Sequence, residues 1–195
     1  MLTLWQKIVS VTTLPIAIVY RLIMPRAKWL VVSADITRWT SWKGLGDNLQ
    51  GFSHLLGNYP EFRSLFYKHI GLLRLLSSWW LKGKTTLEIT TRDIGGGLLI
   101  QHGFSTIVSA ERIGKNCKIY QQVTIGYNHD LKAPVIGENV EICCGAKVIG
   151  GITVGDNVLV GANAVVVTDV PPNSVVAGVP ARVIRKLDHT RDLTA

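Results

Sequence analysis

The stretch IGGGLLIQHGFSTIVSAERIGKNCKIYQQVTIG, residues 94–126, returns an aliphatic residue about every six positions. Ile94, Ile100, Ile107, Ile113, Ile119 and Ile125 form one series, with one extra residue between Ile100 and Ile107. After an insertion of five residues a second series runs through Ile136, Ile142, Val148, Val154, Val160 and Val166. The residue after the aliphatic is often glycine (Gly95, Gly114, Gly126, Gly137, Gly155, Gly161). Four places on sits a small or aliphatic side chain, as at Leu98, Cys117, Val123, Val140 and Ala146.

A period of six matches neither an amphipathic helix at 3.6 nor a plain strand at 2. It matches a β-helix, in which each hexad supplies one short strand and one corner, and three hexads close a triangular coil. The aliphatic residue and its i+4 partner point inward and stack on the next coil, which buries a continuous core. On this reading Glu111 is anomalous, because it occupies an i+4 slot. All six tryptophans precede the repeat, as expected if its narrow interior cannot hold an indole. Insertions into such a solenoid must leave it as loops.

The hexads, together with Gly97-Leu98-Leu99-Ile100-Gln101-His102-Gly103, Tyr120-Gln121-Gln122-Val123-Thr124-Ile125-Gly126 and Gly178-Val179-Pro180-Ala181-Arg182, resemble the hexapeptide-repeat acyltransferases. Within them the chain is most similar to the serine O-acetyltransferase branch and the related O-acetyltransferases of capsule and exopolysaccharide synthesis. The resemblance covers roughly residues 59–187. It implies a mainly β fold, a left-handed parallel β-helix preceded by a small α-helical N-terminal region, although nothing in the sequence reveals the hand. The expected division is 1–86, apolar, basic and mostly helical; 87–187, the β-helix; and 188–195, a tail.

The net charge of +8, with basic residues in both halves, suggests an anionic partner such as a phosphorylated ligand or a membrane surface. Lys/Arg runs of the nucleic-acid kind are missing, so a nucleic-acid partner is not expected. Cys117 falls at an inward position and reads as a small core residue. Cys143 and Cys144 lack the flanking His or Cys that a zinc site needs, so no metal is expected and a reducing cytoplasm is.

Residues 1–32 are largely apolar, yet the uninterrupted part Ile8–Tyr20 contains Pro15 and is short of the ~20 residues of a spanning helix. Arg21, Arg26, Lys28, Arg38 and Lys43, interleaved with Trp29, Trp39 and Trp42, suit a segment lying in the interface at the inner face of a membrane, with core or oligomer packing and a true insertion as alternatives. Asp47 to Tyr59 reads as a loop. Glu61 to Leu76 has helical spacing, with Ser77 to Gly83 extending it.

The resemblance also implies roles. His102 matches the family's catalytic histidine, an imidazole able to deprotonate an acceptor hydroxyl that attacks the thioester of acetyl-CoA directly. Glu88 matches the acidic residue that orients it, across a one-residue deletion, with Asp93 and Glu111 as rivals. The family's CoA site, in a cleft between subunits of a homotrimer, maps onto Gly126, Cys144, Gly145 and Ala162. Arg182 and Lys186 are the expected phosphate partners. Serine acetyltransferases carry Asp before the catalytic His and Arg-His-Pro in the loop, where this chain has Gln101 and Lys132-Ala133-Pro134. Loss of that Asp removes the partner of an ammonium group. Gln101, Tyr127, Asn128 and His129 offer the hydrogen-bonding groups a neutral acceptor needs and therefore suggest a sugar in polysaccharide synthesis, while Lys132 could still meet the carboxylate of serine; serine and a non-catalytic scaffold are the alternatives.

Overall fold

The computed structural model describes residues 3–187, and the expected tail 188–195 lies outside them. The chain divides into two compact units, Met1–Thr85 and Thr86–Ala195.

In the N-terminal unit, α1 (Leu4–Ile23) begins in a capping box, with the Thr3 hydroxyl accepting from the Gln6 amide and the Gln6 side chain accepting from the Thr3 amide. It continues through Pro15. It is followed by α2 (Arg26–Lys43), α3 (Leu49–Asn58) and α4 (Pro60–Ile70). Helix α3 corrects the expected loop at 47–59. Its glycines and asparagines read as a loop, but Asn48 caps it by accepting from the Gly51 amide, and Gly57 allows close packing on α1. Helix α4 ends at Gly71, whose φ of +62° stops the helix, and only a 3₁₀ turn (Gly71–Leu76) follows. Trp39, Phe52, Phe62, Phe66 and Tyr20 form a buried cluster of mainly edge-on rings.

The second unit is a left-handed β-helix of five coils. The first coil is β1 (Leu87–Ile89), β2 (Asp93–Ile94) and β3 (Leu99–Ile100), and the second is β4 (Thr106–Val108), β5 (Arg112–Ile113) and β6 (Lys118–Ile119). The third is β7 (Thr124–Gly126), β8 (Val135–Ile136) and β9 (Glu141–Ile142), and the fourth β10 (Lys147–Ile149), β11 (Thr153–Val154) and β12 (Leu159–Val160). The fifth is β13 (Val165–Val166), a bridge at Val170 and β14 (Ser174–Gly178), against which β15 (Ala181–Lys186) folds back antiparallel. Parallel pairing stacks β1, β4, β7, β10 and β13 as face one, β2, β5, β8 and β11 as face two, and β3, β6, β9, β12 and β14 as face three. The first corner joins faces one and two, the second faces two and three, and the third faces three and one.

The second corner is an asparagine ladder. Asn116, Asn139, Asn157 and Asn173 all adopt φ near +56°, a conformation Asn tolerates better than most side chains. The Asn139 amide nitrogen donates to Asn157 Oδ1 at 3.1 Å, and that of Asn157 to Asn173 Oδ1 at 2.9 Å.

One inward column departs from the expected series. Val108 pairs with Ile125 and is fully buried, whereas Ile107 points outward and is 41% exposed. The cause lies at the third corner, where the chain from Ile100 to Val108 has two residues more than the usual hexad. The next corner compensates: Val108 to Ile113 is one residue short, as is Ile89 to Ile94. These tight first corners are held by Thr91, whose hydroxyl donates to the Val108 carbonyl (3.1 Å) and accepts from the Ala110 amide (2.8 Å). Because both coils share the shortening, the deletion before His102 leaves them in register. It also removes the anomaly of Glu111, which is exposed while Ala110 takes the buried slot.

Candidate active site

The two extra residues at the third corner project His102 from the prism. The ordinary left-handed residue of that corner is Gln122 in the next coil and Asn163 in the fourth, and Ser105 is their counterpart in the first. His102 (φ +64°) and Gly103 (φ +52°) form an additional turn ahead of it. The imidazole is exposed, and Gln101 Nε2 lies 3.5 Å from His102 Nε2, at the limit of a hydrogen bond. Strained backbone carrying a titratable side chain out of an otherwise regular solenoid is a mark of functional positions.

Below His102 the third corner continues as a column. The Gln122 amide donates to the Phe104 carbonyl (3.0 Å), the Gly145 amide to Gln121 (3.0 Å) and the Asn163 amide to Cys144 (2.9 Å). Phe104, Gln121, Cys144 and Ala162 are therefore equivalent positions on successive coils, with two small side chains in the lower half. Arg182 pairs with Ala177 on β14, beside this same corner, and its side chain is exposed. At ~4.8 Å per coil, His102 and the Arg182 end of the column are about 20 Å apart. The fold thus lines up His102, Cys144, Gly145, Ala162 and Arg182.

Other expected site residues lie elsewhere. Gly126 ends β7 at the opposite edge of face one, and Tyr127, Asn128, His129 and Lys132 follow it in the inserted loop at the first corner. Asn128 is occupied by the loop itself, its Oδ1 accepting from the Asp130 (3.1 Å) and Lys132 (3.3 Å) amides. The loop rests on Gly150 and Gly151, where a Cβ on Gly151 would stand 2.7 Å from Lys132 Cβ. A cavity of about 430 Å³ opens beneath it, lined by Glu111, Tyr127, Leu131, Lys132 and Thr153 among others. His129, nearly fully exposed, pairs with Asp130 at 3.1 Å. Lys186 pairs with Ser174 at the far edge of face three, its Nζ donating to Ser174 Oγ at 3.1 Å, and so stands apart from Arg182.

Of the candidate carboxylates, Glu88 faces outward on face one in the row shared with Ile107 and Thr124. No hydrogen bond joins it to His102 among the described residues. Asp93 is paired with Arg112 at 3.5 Å, and Glu111 lines the loop cavity. Sequence reading assigned no role to Gln121. Its Oε1 is buried with no hydrogen-bond partner, one coil below the His102 turn. The signal was the amide itself, where equivalent positions lower in the column carry Cys and Ala.

Cys117 is buried, as its inward position suggests, and burial pushes the Cys143 thiol up. Beside it on face three, Lys118 Nζ donates to the Tyr120 hydroxyl (2.6 Å), which donates to Glu141 (2.8 Å).

The bacterial transferase hexapeptide (six repeats) family matches residues 133–168. The chain is 38% identical over 140 residues to a serine acetyltransferase of Staphylococcus xylosus, covering 69% of this chain and 62% of that protein. It is 38% identical over 154 residues to one of Synechococcus elongatus, covering 68% and 63%. The chain thus spans less than two thirds of these relatives' length. Among solved structures, Neisseria gonorrhoeae serine acetyltransferase superposes with a TM-score of 0.69 at 26% identity, over 86% of this chain and 70% of that one. The same enzyme in complex with serine gives 0.65 at 27%, over 81% and 69%. The chain thus carries the bacterial transferase hexapeptide repeat, and in sequence and fold it is similar to the serine acetyltransferases.

Proposed function

We propose that this chain transfers an acetyl group from acetyl-CoA to a hydroxyl, with His102 as general base. The observation that carries the reading is the third corner, where one exposed imidazole on an extra turn heads a column whose lower half is small residues and which ends at an arginine. In this reading the donor's long arm lies along Cys144, Gly145 and Ala162, its phosphates meet Arg182, and its thioester stands beside His102. The acceptor hydroxyl gives its proton to the imidazole as it attacks the carbonyl. The thiolate leaves and takes up a proton, so no acyl-enzyme forms.

The inserted loop and His102 stand on opposite edges of face one, so a single chain does not unite them. A homotrimer, in which the first corner of one subunit meets the third corner of the next, brings Gly126, Tyr127 and Lys132 to the His102 column. This arrangement is part of the proposal.

Serine is the acceptor favoured by the relatives, and the sugar expected from Gln101, Tyr127, Asn128 and His129 finds no support among them. Gln101, placed against His102, nevertheless favours a second reading in which the acceptor hydroxyl belongs to an uncharged molecule, because an amide offers no counter-charge to an ammonium. The test is thiol release from acetyl-CoA with L-serine and with neutral polyols. Serine turnover lost at least ~10²-fold in His102→Asn, with an unchanged melting temperature, supports the assignment. Asn is chosen because it tolerates positive φ. Retention of most activity in that variant rejects His102 as the base. Turnover on polyols alone replaces serine.

A further inference from the structure

Helix α1 is patterned inside out. The side chains it turns toward α3 are Ser10, Thr13 and, further along, Ala17, whereas Leu4, Ile8, Val11, Ile18 and Leu22 follow the i, i+4, i+7, i+14, i+18 spacing of one outward face. Leu4, Val11 and Leu22 are 76, 70 and 78% exposed. A helix at the surface of a water-soluble unit does the reverse. Its packing is likewise of the kind found where apolar burial between helices contributes little. Gly57 lets Val9 approach so closely that a Cβ would stand 2.7 Å from Val9 Cγ1, and hydroxyls and an imidazole join the helices: Thr13 with Ser53 at 2.9 Å, Ser10 with His54 at 2.7 Å.

A second apolar surface adjoins the C-terminal end of α1. The Tyr20 hydroxyl bonds Ser77 (2.7 Å) and the Leu73 carbonyl (3.2 Å), which ties α1 to a turn exposing Leu72, Leu75, Leu76, Trp79 and Trp80. Charge singles out the same unit. Residues 1–85 hold eleven Lys and Arg against three Asp and Glu, so the whole net charge of +8 lies there, while residues 86–195 carry ten of each.

We propose that the outer face of α1, together with the turn from Leu72 to Trp80, docks on an anionic lipid bilayer and lies in its interface. The apolar side chains enter the headgroup and acyl boundary while Lys7, Arg21, Arg26 and Arg74 meet lipid phosphates. A second copy of the chain is the poorer occupant, because two units of net +8 repel each other. Spanning is also the poorer arrangement. The 20 residues of α1 suffice in length, but crossing would take it from α3 and break the Ser10 and Thr13 hydrogen bonds. The proposal is independent of the acetyl-transfer reading.

The full chain is floated with liposomes of phosphatidylcholine, with and without about 30 mol% phosphatidylglycerol, beside a Val11→Glu/Leu22→Glu variant. Wild type is expected to float with the anionic liposomes and to lose this at high salt, and the variant to bind at least ~10-fold more weakly with unchanged helical circular dichroism. A measurement without any variant accompanies it: brominated acyl chains are expected to quench wild-type tryptophan fluorescence, through Trp5, Trp79 and Trp80. Wild type left unfloated at low salt, an absence of quenching, or a folded variant that floats like wild type overturns the proposal. So does a lipid-free wild-type assembly that the variant dissociates without any liposome binding, which would make a second copy the occupant.

Discussion

Two glycines of the proposed donor site are set apart by what a methyl group would meet. Gly145 has φ +73°, and its Cβ would stand 2.0 Å from Asn163 Oδ1. Gly126 has ordinary backbone angles, and the nearest atoms to its Cβ are Ile149 Cδ1 and Thr124 Cγ2, both at 3.8 Å. Gly145→Ala therefore incurs ~1–2 kcal/mol for the left-handed conformation and ~1–3 kcal/mol for displacing the Asn163 side chain, offset by ~0.4–1 kcal/mol from a less flexible unfolded chain. The net loss is about 1–4.5 kcal/mol, or roughly 4–18 °C in melting temperature for a unit of this size. Gly126→Ala has only the offsetting term, so its melting temperature stays level or rises by up to ~4 °C. If the donor passes over Gly126, the same methyl raises the KM for acetyl-CoA about tenfold, the consequence of ~1.4 kcal/mol of overpacking in the complex alone. Thermal melts of apo protein and acetyl-CoA titrations of the thiol-release rate measure the two effects separately. Destabilisation by Gly126→Ala refutes the reading of open space, and an unchanged KM in a stable Gly126→Ala protein refutes the donor path.

Asn157→Ala removes the link between Asn139 and Asn173 and leaves alanine at φ +56°, so chemical denaturation should show a loss of about 2–4 kcal/mol. Gln121→Ala should leave stability nearly unchanged, because Oε1 has no partner to lose, and should lower kcat/KM by about tenfold if that oxygen faces a reactant donor. Burial lowers the pKa of His54 below its ordinary 6.5, so the folded helical unit binds fewer protons than the unfolded chain. Its contribution to stability is intact above pH 6.5 and declines as pH falls below that value; melting temperatures recorded from pH 7.5 to 5 should show this, and His54→Gln should flatten the slope.

Much of the β-helix was legible because a six-residue period has few physical solutions, and Val148, Val154 and Val160 stack as their spacing requires. The error at Ile107 has a definite origin. Periodicity counts residues, and at the third corner two extra residues and a later shortfall nearly cancel in the count while moving the buried position to Val108. Helix α3 was missed for a different reason. Gly51, Ser53 and Gly57 lower helix propensity, and only contacts that no local pattern records make them the right residues: Gly46 and Thr40 crowd Gly51, while Val9 and Thr13 of α1 approach Gly57 and Ser53.

The site follows the same division. His102 was readable from its local motif, and Cys144, Gly145 and Ala162 fell on its corner because the repeat places equivalent residues there on every coil. The separation of Lys186 from Arg182 was hidden by the reversal of β15, and that of the inserted loop from His102 by the turn each coil makes around the prism. The expected site lay in a cleft between subunits, so its parts had no need to meet within one chain, and the loop and His102 stand at different corners of the prism. In the proposed reaction an imidazole at one corner and a hydrogen-bonding loop at another have no shared purpose in a single prism, but would face one another in the proposed homotrimer, with three prisms packed corner to corner. The loop's distance from His102 thus becomes an argument for assembly, and mixing His102→Asn chains with chains altered in the loop should regain part of the lost activity.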